Sequence, residues 1–393
     1  MPFAQPSSVV IAGSGIVGAA AAYFLARRGV RVDLFDADVP ASQATGAADG
    51  AVSVASKRPG PMMEAALCGI ALYRQLARDG LFADCFKSRS TFIVATSKAE
   101  CDVLEAHSKA LAGAGVRTAT LAPQAARNRF PVLSPDALMI VEVHDEGHAI
   151  GYQIVHRFLT AAGVVVHRGH AVESLLLASD GSRVEGVATA KGDVRADAVV
   201  VAAGTGSARL LGIEHALIPR KGQLLITERA RALNAAMPGA IMSGRYLLSK
   251  GSQNAPQAKL PKGLGLVIDP LQTGQFLIGG TREDHGDRRN NDIDAVSRIL
   301  RDAVALVPGL ADVRLLRSFA GVRTAVIDGL PLVGRLPHLI NAYVATGFEG
   351  DGICLGPITG KAISQMVCGE TPDMSLAAFD PARFGKSETV AWA

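Results

Sequence analysis

The sequence predicts a fold of mixed class, α/β plus α+β: a discontinuous, Rossmann-like parallel-sheet domain and a second domain built on an antiparallel sheet. Three observations predict it. Short, unbroken apolar runs enter glycine-rich bends at three widely separated places; the first bend has the spacing G-x-G-x-x-G between a strand and a helix; and the stretch between the second and third bends alternates like antiparallel strands. With 393 residues, 49% of them hydrophobic, the chain can fill two substantial cores and is not disordered.

The first strand is Ser8 to Ala12, apolar enough to be buried on both faces. Gly13-Ser14-Gly15-Ile16-Val17-Gly18 follows, and an alanine-rich helix runs through Arg28 and closes at Gly29. Val30 to Phe35 supplies the next strand, ending at Asp36. Glycines there let backbone approach a pyrophosphate, the helix N-terminus favours its charge, and an acid at the strand end accepts hydrogen bonds from a ribose diol. The arrangement therefore reads as a dinucleotide site. Tight helix-to-strand packing, with Asp36 a solvated carboxylate, is the plainer alternative, and this fingerprint does not separate NAD from FAD.

Pro40 to Ser53 is a run of small residues that lets backbone pass close to a ligand, or else a surface loop. Val164 to Val166, Ala171-Val172, Val184 to Ala188 and Ala196 to Ala203 read as short strands, with His167 and His170 facing solvent rather than binding metal. The strand from Asp197 runs into Gly204, where Thr205-Gly206-Ser207 opens a helix: the second bend. The third comes where Ala342 to Ala345 enters Thr346-Gly347-Phe348-Glu349-Gly350-Asp351-Gly352, with Pro357 placed in the first turn of a helix reaching Val367. Three such bends imply one extended ligand clasped by distant segments. Between them, Pro219 to Glu228, Tyr246 to Lys250, Leu264 to Ile268 and Gln275 to Gly279 read as antiparallel strands, with Ile293 to Leu306 as an amphipathic helix beside them. Lys250 to Gly263 reads as a solvated connection, either a plain loop or a lid or partner contact.

Composition removes several function classes. Net charge is +4, lysine and arginine are dispersed and aromatics are 5%, so neither a phosphate-tracking stripe nor a base-stacking platform exists and nucleic acid is not a partner. The five cysteines, Cys68, Cys85, Cys101, Cys354 and Cys368, form no CxxC pair and no Cys/His cluster, which suits a reducing compartment and implies no metal site. The N-terminus lacks a basic run, and no apolar stretch reaches the ~18 residues of a membrane span. A cytoplasmic protein is expected, attached at the inner membrane only if a partner carries it there.

Together these segments resemble the D-amino-acid oxidase-like superfamily of FAD-dependent oxidoreductases, which includes glycine oxidase, sarcosine oxidase and D-amino-acid dehydrogenase. The stretches that carry the resemblance are VVIAGSGIVGAAAAYFLARRGVRVDLFDAD, Thr45 to Ala51, VVVAAGTGS, PRKGQLLITE, FLIGGTRE, AGVRTAVIDGLPLVGR and ATGFEGDGICLGPITGKAI. The stretch GLGLVIDPLQTGQFLIGGTRED is more similar to the β subunits of heteromeric opine, D-hydroxyproline and proline dehydrogenases and of hydrogen cyanide synthase. This resemblance implies FAD as cofactor, an FAD-binding domain from residues 1–88, 142–217 and 318–393, and a substrate domain from 89–141 and 218–317.

The resemblance also implies site residues. FAD contacts fall on Gly13, Gly15, Ile16, Val17 and Gly18; Asp36 and Ala37; Thr45, Gly46 and Ala51; Val172, Ala203 and Gly204; and Gly321, Gly347, Glu349, Gly350, Asp351, Gly352 and Ile353. Arg323 matches the arginine that clamps a substrate carboxylate, unless it pairs with Asp328 instead. Tyr246 holds the second carboxylate oxygen or simply packs on a strand. Glu349 meets a cationic substrate side chain or stays an exposed loop glutamate. The superfamily often has histidine at Phe348, proline at Thr324, asparagine near Asp49 and an Asp-Gly-x-x-x-Pro pattern at Glu146 to Gly151; Phe348 and Thr324 are expected near the catalytic face. The strand Gln275 to Ile278 lacks the lysine that sarcosine oxidases turn toward oxygen. The implied activity is amino-acid or secondary-amine dehydrogenation by a β subunit with electron-transfer partners, with a stand-alone oxidase and a non-catalytic electron-transfer flavoprotein as alternatives. Neutral amines need no strong base for hydride loss, and no general base is named.

Overall fold

The computed structural model describes residues 5–251 and 263–384; the Lys250 to Gly263 connection lies almost wholly outside the described residues. Apolar runs that have no polar face must sit at the centre of a sheet, and they do. Ser8–Ala12 pairs in parallel with Ala198–Val201 on one side and Arg31–Asp36 on the other. Val165–Arg168 extends the sheet beyond Arg31–Asp36, and Ala342–Thr346 extends it beyond Ala198–Val201, both parallel. Leu332–Arg335 closes that edge as the sixth, antiparallel strand. The bends after Ala12, Val201 and Thr346 therefore open at the same edge of three adjacent strands.

The glycine-spaced helix covers Ile16–Ala26, two residues shorter than its pattern predicts. Gly29, at φ +78, makes the turn that follows. Ala19, Ala20, Ala21 and Ala22 are fully buried, because the helix is covered by Gly151–Ala162 and by Gly352–Val367. A methyl added at Gly360 would stand 2.5 Å from the Cβ of Ala20, and one at Gly356 would stand 2.6 Å from Ile16. Small residues on both helices thus set their separation.

The second sheet has nine strands. Eight run in the order Leu315–Val326, Leu217–Thr227, Phe276–Arg282, Gly263–Pro270, Gly239–Ser243, Phe86–Ala95, Met139–Ala149 and Ala51–Val52, and Thr118–Leu121 pairs with Met139–Ala149. Its ladders are antiparallel except for Gly239–Ser243 against Phe86–Ala95. Ile293–Leu306, with the bounds its periodicity predicts, packs Val296, Ile299 and Ala303 against Leu225, Ile268, Phe276 and Ile278. A small sheet of Val172–Leu177, Val184–Thr189 and Gly192–Arg195 precedes the second bend. His167 stacks on Phe35 at 4.3 Å.

Two expectations are corrected. Tyr246 to Lys250, expected as a strand, lies in the helix Gly244–Gly251; five residues are too few to separate the two periods, and Gly239–Ser243 holds the sheet position instead. Pro357 is not in the first turn, because the helix starts at Gly352 and the proline sits inside it. A proline removes the N–H that would bond the carbonyl four residues back. Here that carbonyl belongs to Ile353, and the buried Tyr73 hydroxyl donates to it at 2.8 Å. Tyr73→Phe should leave the carbonyl unsatisfied and cost about 1–3 kcal/mol. The expected outcome is a thermal midpoint several degrees lower with unchanged secondary structure by circular dichroism.

Candidate functional site

The three bends meet. Gly13 has φ +104, its N–H donates to the Phe35 carbonyl at 2.7 Å, and a Cβ there would stand 2.4 Å from the Ala202 carbonyl oxygen. Only a glycine lets the first bend touch the second. Gly18 lies beneath, with its Cβ position 1.9 Å from the Gly13 oxygen, and Gly46 packs on the Ala41 carbonyl, so these two shape the loops from behind without lining the cleft. Asp36 is tied to the bend: one carboxylate oxygen accepts from the Ser14 N–H at 2.7 Å and its hydroxyl at 2.6 Å, the other from the Asp38 N–H at 2.9 Å. The Thr45 hydroxyl accepts from Ile16 N–H at 3.2 Å, drawing the small-residue loop onto the helix start.

An elongated chamber runs along this edge. Gly13, Gly15, Ile16, Val17, Asp36, Ala37, Thr45 and Val172 line one side; Ala203, Gly204, Gly347, Phe348, Glu349 and Gly352 line the other. A second chamber joins it, sharing Ile16, Thr45, Glu349 and Gly352, and continues past Ala51, Tyr246, Gly321, Arg323, Gly350, Asp351 and Ile353. Arg323 and Thr324 diverge because successive strand residues face opposite ways. Thr324 and Phe348, expected near the catalytic face, line the elongated chamber, while Arg323 lines the second.

Arg323 donates to the Thr281 carbonyl at 3.2 Å and, among the described residues, forms no ion pair. Its alternative partner, Asp328, is held by Arg383 at 2.8 Å. Glu349 is no exposed loop residue. Burial pushes its carboxyl up, but Arg282 and Arg323 outweigh that and hold it below the usual range. Arg282 reaches Glu349 Oε2 and the Tyr246 hydroxyl, each at 3.1 Å, and its guanidinium lies 5.5 Å from the centre of the Tyr246 ring. Arg282 and Lys57 line the same chamber and were missed from sequence, Arg282 within a quoted stretch and Lys57 with no signal at all. Lys57 pairs with Asp351 at 2.5 Å.

The floor is set by Glu146, which replaces the expected aspartate and is fully buried. It accepts from the Ser53 hydroxyl and from the Val54 and Ala55 N–H groups, fixing the segment that leads to Lys57. Beside it, Asp49 caps Ala51 N–H at 3.1 Å, and burial together with Asp269 pushes its carboxyl up. His148 contacts the Asp49 carbonyl at 2.9 Å through Nε2, and burial and Arg89 push its ring down to about 4.

The donor set fits a dinucleotide with an anionic middle and an anionic reactive edge. The Ile16–Ala26 and Gly352–Val367 helices both point N-termini at the cleft, and neither has a side-chain cap. The buried Ser42 hydroxyl beside the first has no hydrogen-bond partner among the described residues, and a Cβ at Gly321 would stand 2.6 Å from that of Ala47, closing the second chamber. A Rossmann-type sheet with such a cleft defines a dinucleotide-dependent oxidoreductase.

The comparisons with known proteins agree. The family of FAD dependent oxidoreductases called DAO matches residues 8–366, and the chain belongs to it. FAD is therefore its cofactor. The chain is 28% identical to the uncharacterized oxidoreductase YurR of Bacillus subtilis over 95% of its own length and 98% of that protein. It is also 28% identical to the glycine oxidase of Geobacillus kaustophilus, over 95% and 96% of the two chains. Among solved structures, a glycine oxidase from Geobacillus kaustophilus superposes with a TM-score of 0.82 at 25% identity, covering 96% of this chain and 98% of that one. L-Proline dehydrogenase from P. horikoshii superposes with a TM-score of 0.83 at 19% identity over 99% and 100%, a likeness of fold. No helix among the described residues is long and apolar enough to cross a membrane.

Gly13→Ala should lower FAD affinity at least tenfold, since both the positive φ and the Ala202 contact oppose a side chain. Flavin absorbance retained after gel filtration measures it. For His148, an unfolded ring takes up a proton near pH 6.5 and the folded one only near 4. Stability should thus be full above pH 6.5 and fall by up to about 3 kcal/mol as pH drops through that window. His148→Gln should flatten that part of the denaturation profile.

Proposed function

We propose that the protein is an FAD-dependent dehydrogenase that oxidises the C–N bond of a carboxylate-bearing amino acid or secondary amine of opine, D-hydroxyproline or proline type. It acts as the β subunit of a hetero-oligomer. The observation that supports this most is Arg323, a guanidinium in the second chamber that forms no ion pair among the described residues. A planar guanidinium binds a carboxylate through two parallel hydrogen bonds and so fixes both position and angle. To Tyr246, whose hydroxyl accepts from Arg282, this reading gives the remaining carboxylate oxygen. Leu224, Met242 and Val267 give the chamber apolar wall that excludes water.

Bound FAD supplies the hydride acceptor. In this assignment Asp36 would hold the ribose, the Ile16–Ala26 N-terminus the pyrophosphate, and the backbone amides of Gly350 to Ile353 would stabilise negative charge on the reduced cofactor. Because the reacting amine is neutral, the residues orient it and need not take its proton. The iminium that results hydrolyses in water, which takes up the proton it releases.

Anaerobic addition of an opine, proline-type or D-amino acid should bleach the flavin absorbance, with little peroxide released on return to air. A stand-alone oxidase is the second reading, favoured by alignment with the Geobacillus kaustophilus glycine oxidase over nearly all of both chains. Peroxide formed at the rate of glycine loss would establish it in place of the dehydrogenase. Arg323→Lys should lower kcat/KM at least tenfold for carboxylate substrates, because one bidentate contact to a charged group contributes roughly 1.5–3 kcal/mol. Steady-state kinetics measure it.

A further inference from the structure

We infer that Lys57 is a positioning residue for the cofactor: its ammonium draws the Asp351 carboxylate away from the amides of the helix that Asp351 begins, leaving that N-terminus open to negative charge on bound FAD. This rests on the FAD-dependent reading and is independent of the substrate assigned.

Asp351 occupies the N-cap of Gly352–Val367. Aspartate is among the strongest capping residues, its carboxylate ordinarily accepting the N–H two or three positions on. Here its backbone sits at φ −100 and ψ 2 rather than extended, and its side chain makes no cap bond. The carboxylate turns to Lys57 instead, 2.5 Å away. Lys57 is only 7% exposed, yet lines the chamber together with Gly350, Asp351 and Gly352.

A lysine that deep is placed, not adventitious. Glu146 pins Ser53, Val54 and Ala55, and the Lys57 N–H donates to the Val54 carbonyl at 2.8 Å, so the ammonium arrives from a rigid turn. Burial works against its charge, but Asp351 outweighs that and keeps it protonated. Cys354, in the first turn of the helix, has its thiol pushed up to about 12 by burial and adds no charge. The pair is thus neutral as a whole, and the helix terminus keeps its positive end. Without the Lys57 ammonium, the Asp351 carboxylate loses this counter-charge and sets a negative charge beside the helix terminus, where reduction of FAD adds another.

The test uses the FAD-loaded protein and reads the cofactor, not turnover. Midpoint potential, by equilibration with reference dyes, and sulfite affinity of the oxidised flavin both report stabilisation of negative charge. Lys57→Met should weaken sulfite binding at least tenfold and lower the potential by about 30 mV, the two-electron equivalent of tenfold. Lys57→Met with Asp351→Asn should restore both to within about threefold of the parent, because asparagine brings no charge. Asp351→Asn alone should tighten sulfite binding, which keeps the proposal testable if Lys57→Met fails to hold FAD. Unchanged values in Lys57→Met, no recovery in the double variant, or weaker sulfite binding in Asp351→Asn would each overturn it. A protein that passes these tests while oxidising no amine would sink the substrate reading alone.

Discussion

The site depends on how closely two helices approach. Ile16–Ala26 and Gly352–Val367 begin at bends more than three hundred residues apart in sequence, and both must aim N-termini into one cleft. They do so because a glycine lies at each close contact where they cross, Gly360 against Ala20 and Ala21 and Gly356 against Ile16. A larger residue at either glycine would push the helices apart, and the two termini would no longer share a ligand. The same demand explains why Gly352–Val367 tolerates an internal proline: the Tyr73 hydroxyl supplies the missing donor, so the helix stays continuous.

Charge inside the second chamber is almost entirely paired. Glu349 is held by Arg282, Asp351 by Lys57, and beneath the floor Asp269 by Arg89. Buried pairs of this kind cost desolvation and are weak evidence for stability. Their effect is to fix where charge stands in a region of low polarity. Arg323 differs in forming no ion pair among the described residues, and it is the group to which the proposed function gives the substrate carboxylate.

Much of this was legible in the chain. Unbroken apolar runs before Gly13, Gly204 and Gly347 revealed the parallel sheet and its three bends, since such runs have nowhere else to go. Arg323 was legible because its block resembles a known family and its chemistry suits a carboxylate. The strands Phe86–Ala95 and Met139–Ala149 were not read, because their polar residues are buried as partners: Glu142 and Glu146 look like surface until their arginine, serine and backbone partners are seen. Arg282 and Lys57 were missed for a related reason. Their importance lies in partners far off in sequence, and no local spacing marks a contact between Lys57 and Asp351. That Phe348 and Thr324 line the elongated chamber while Arg323 lines the second depends on strand and bend geometry, which no local pattern displays.

The cleft borrows backbone from segments scattered along the polypeptide, and this bears on biogenesis. A ribosome releases the first glycine turn early, but the cleft to which the proposed function assigns FAD is complete only once Gly347 to Gly352 has emerged and docked on it. Flavin capture is therefore a late event in maturation. Since FAD binds the folded form and not the unfolded one, its supply in the cell should set how much of the newly made chain survives proteolysis.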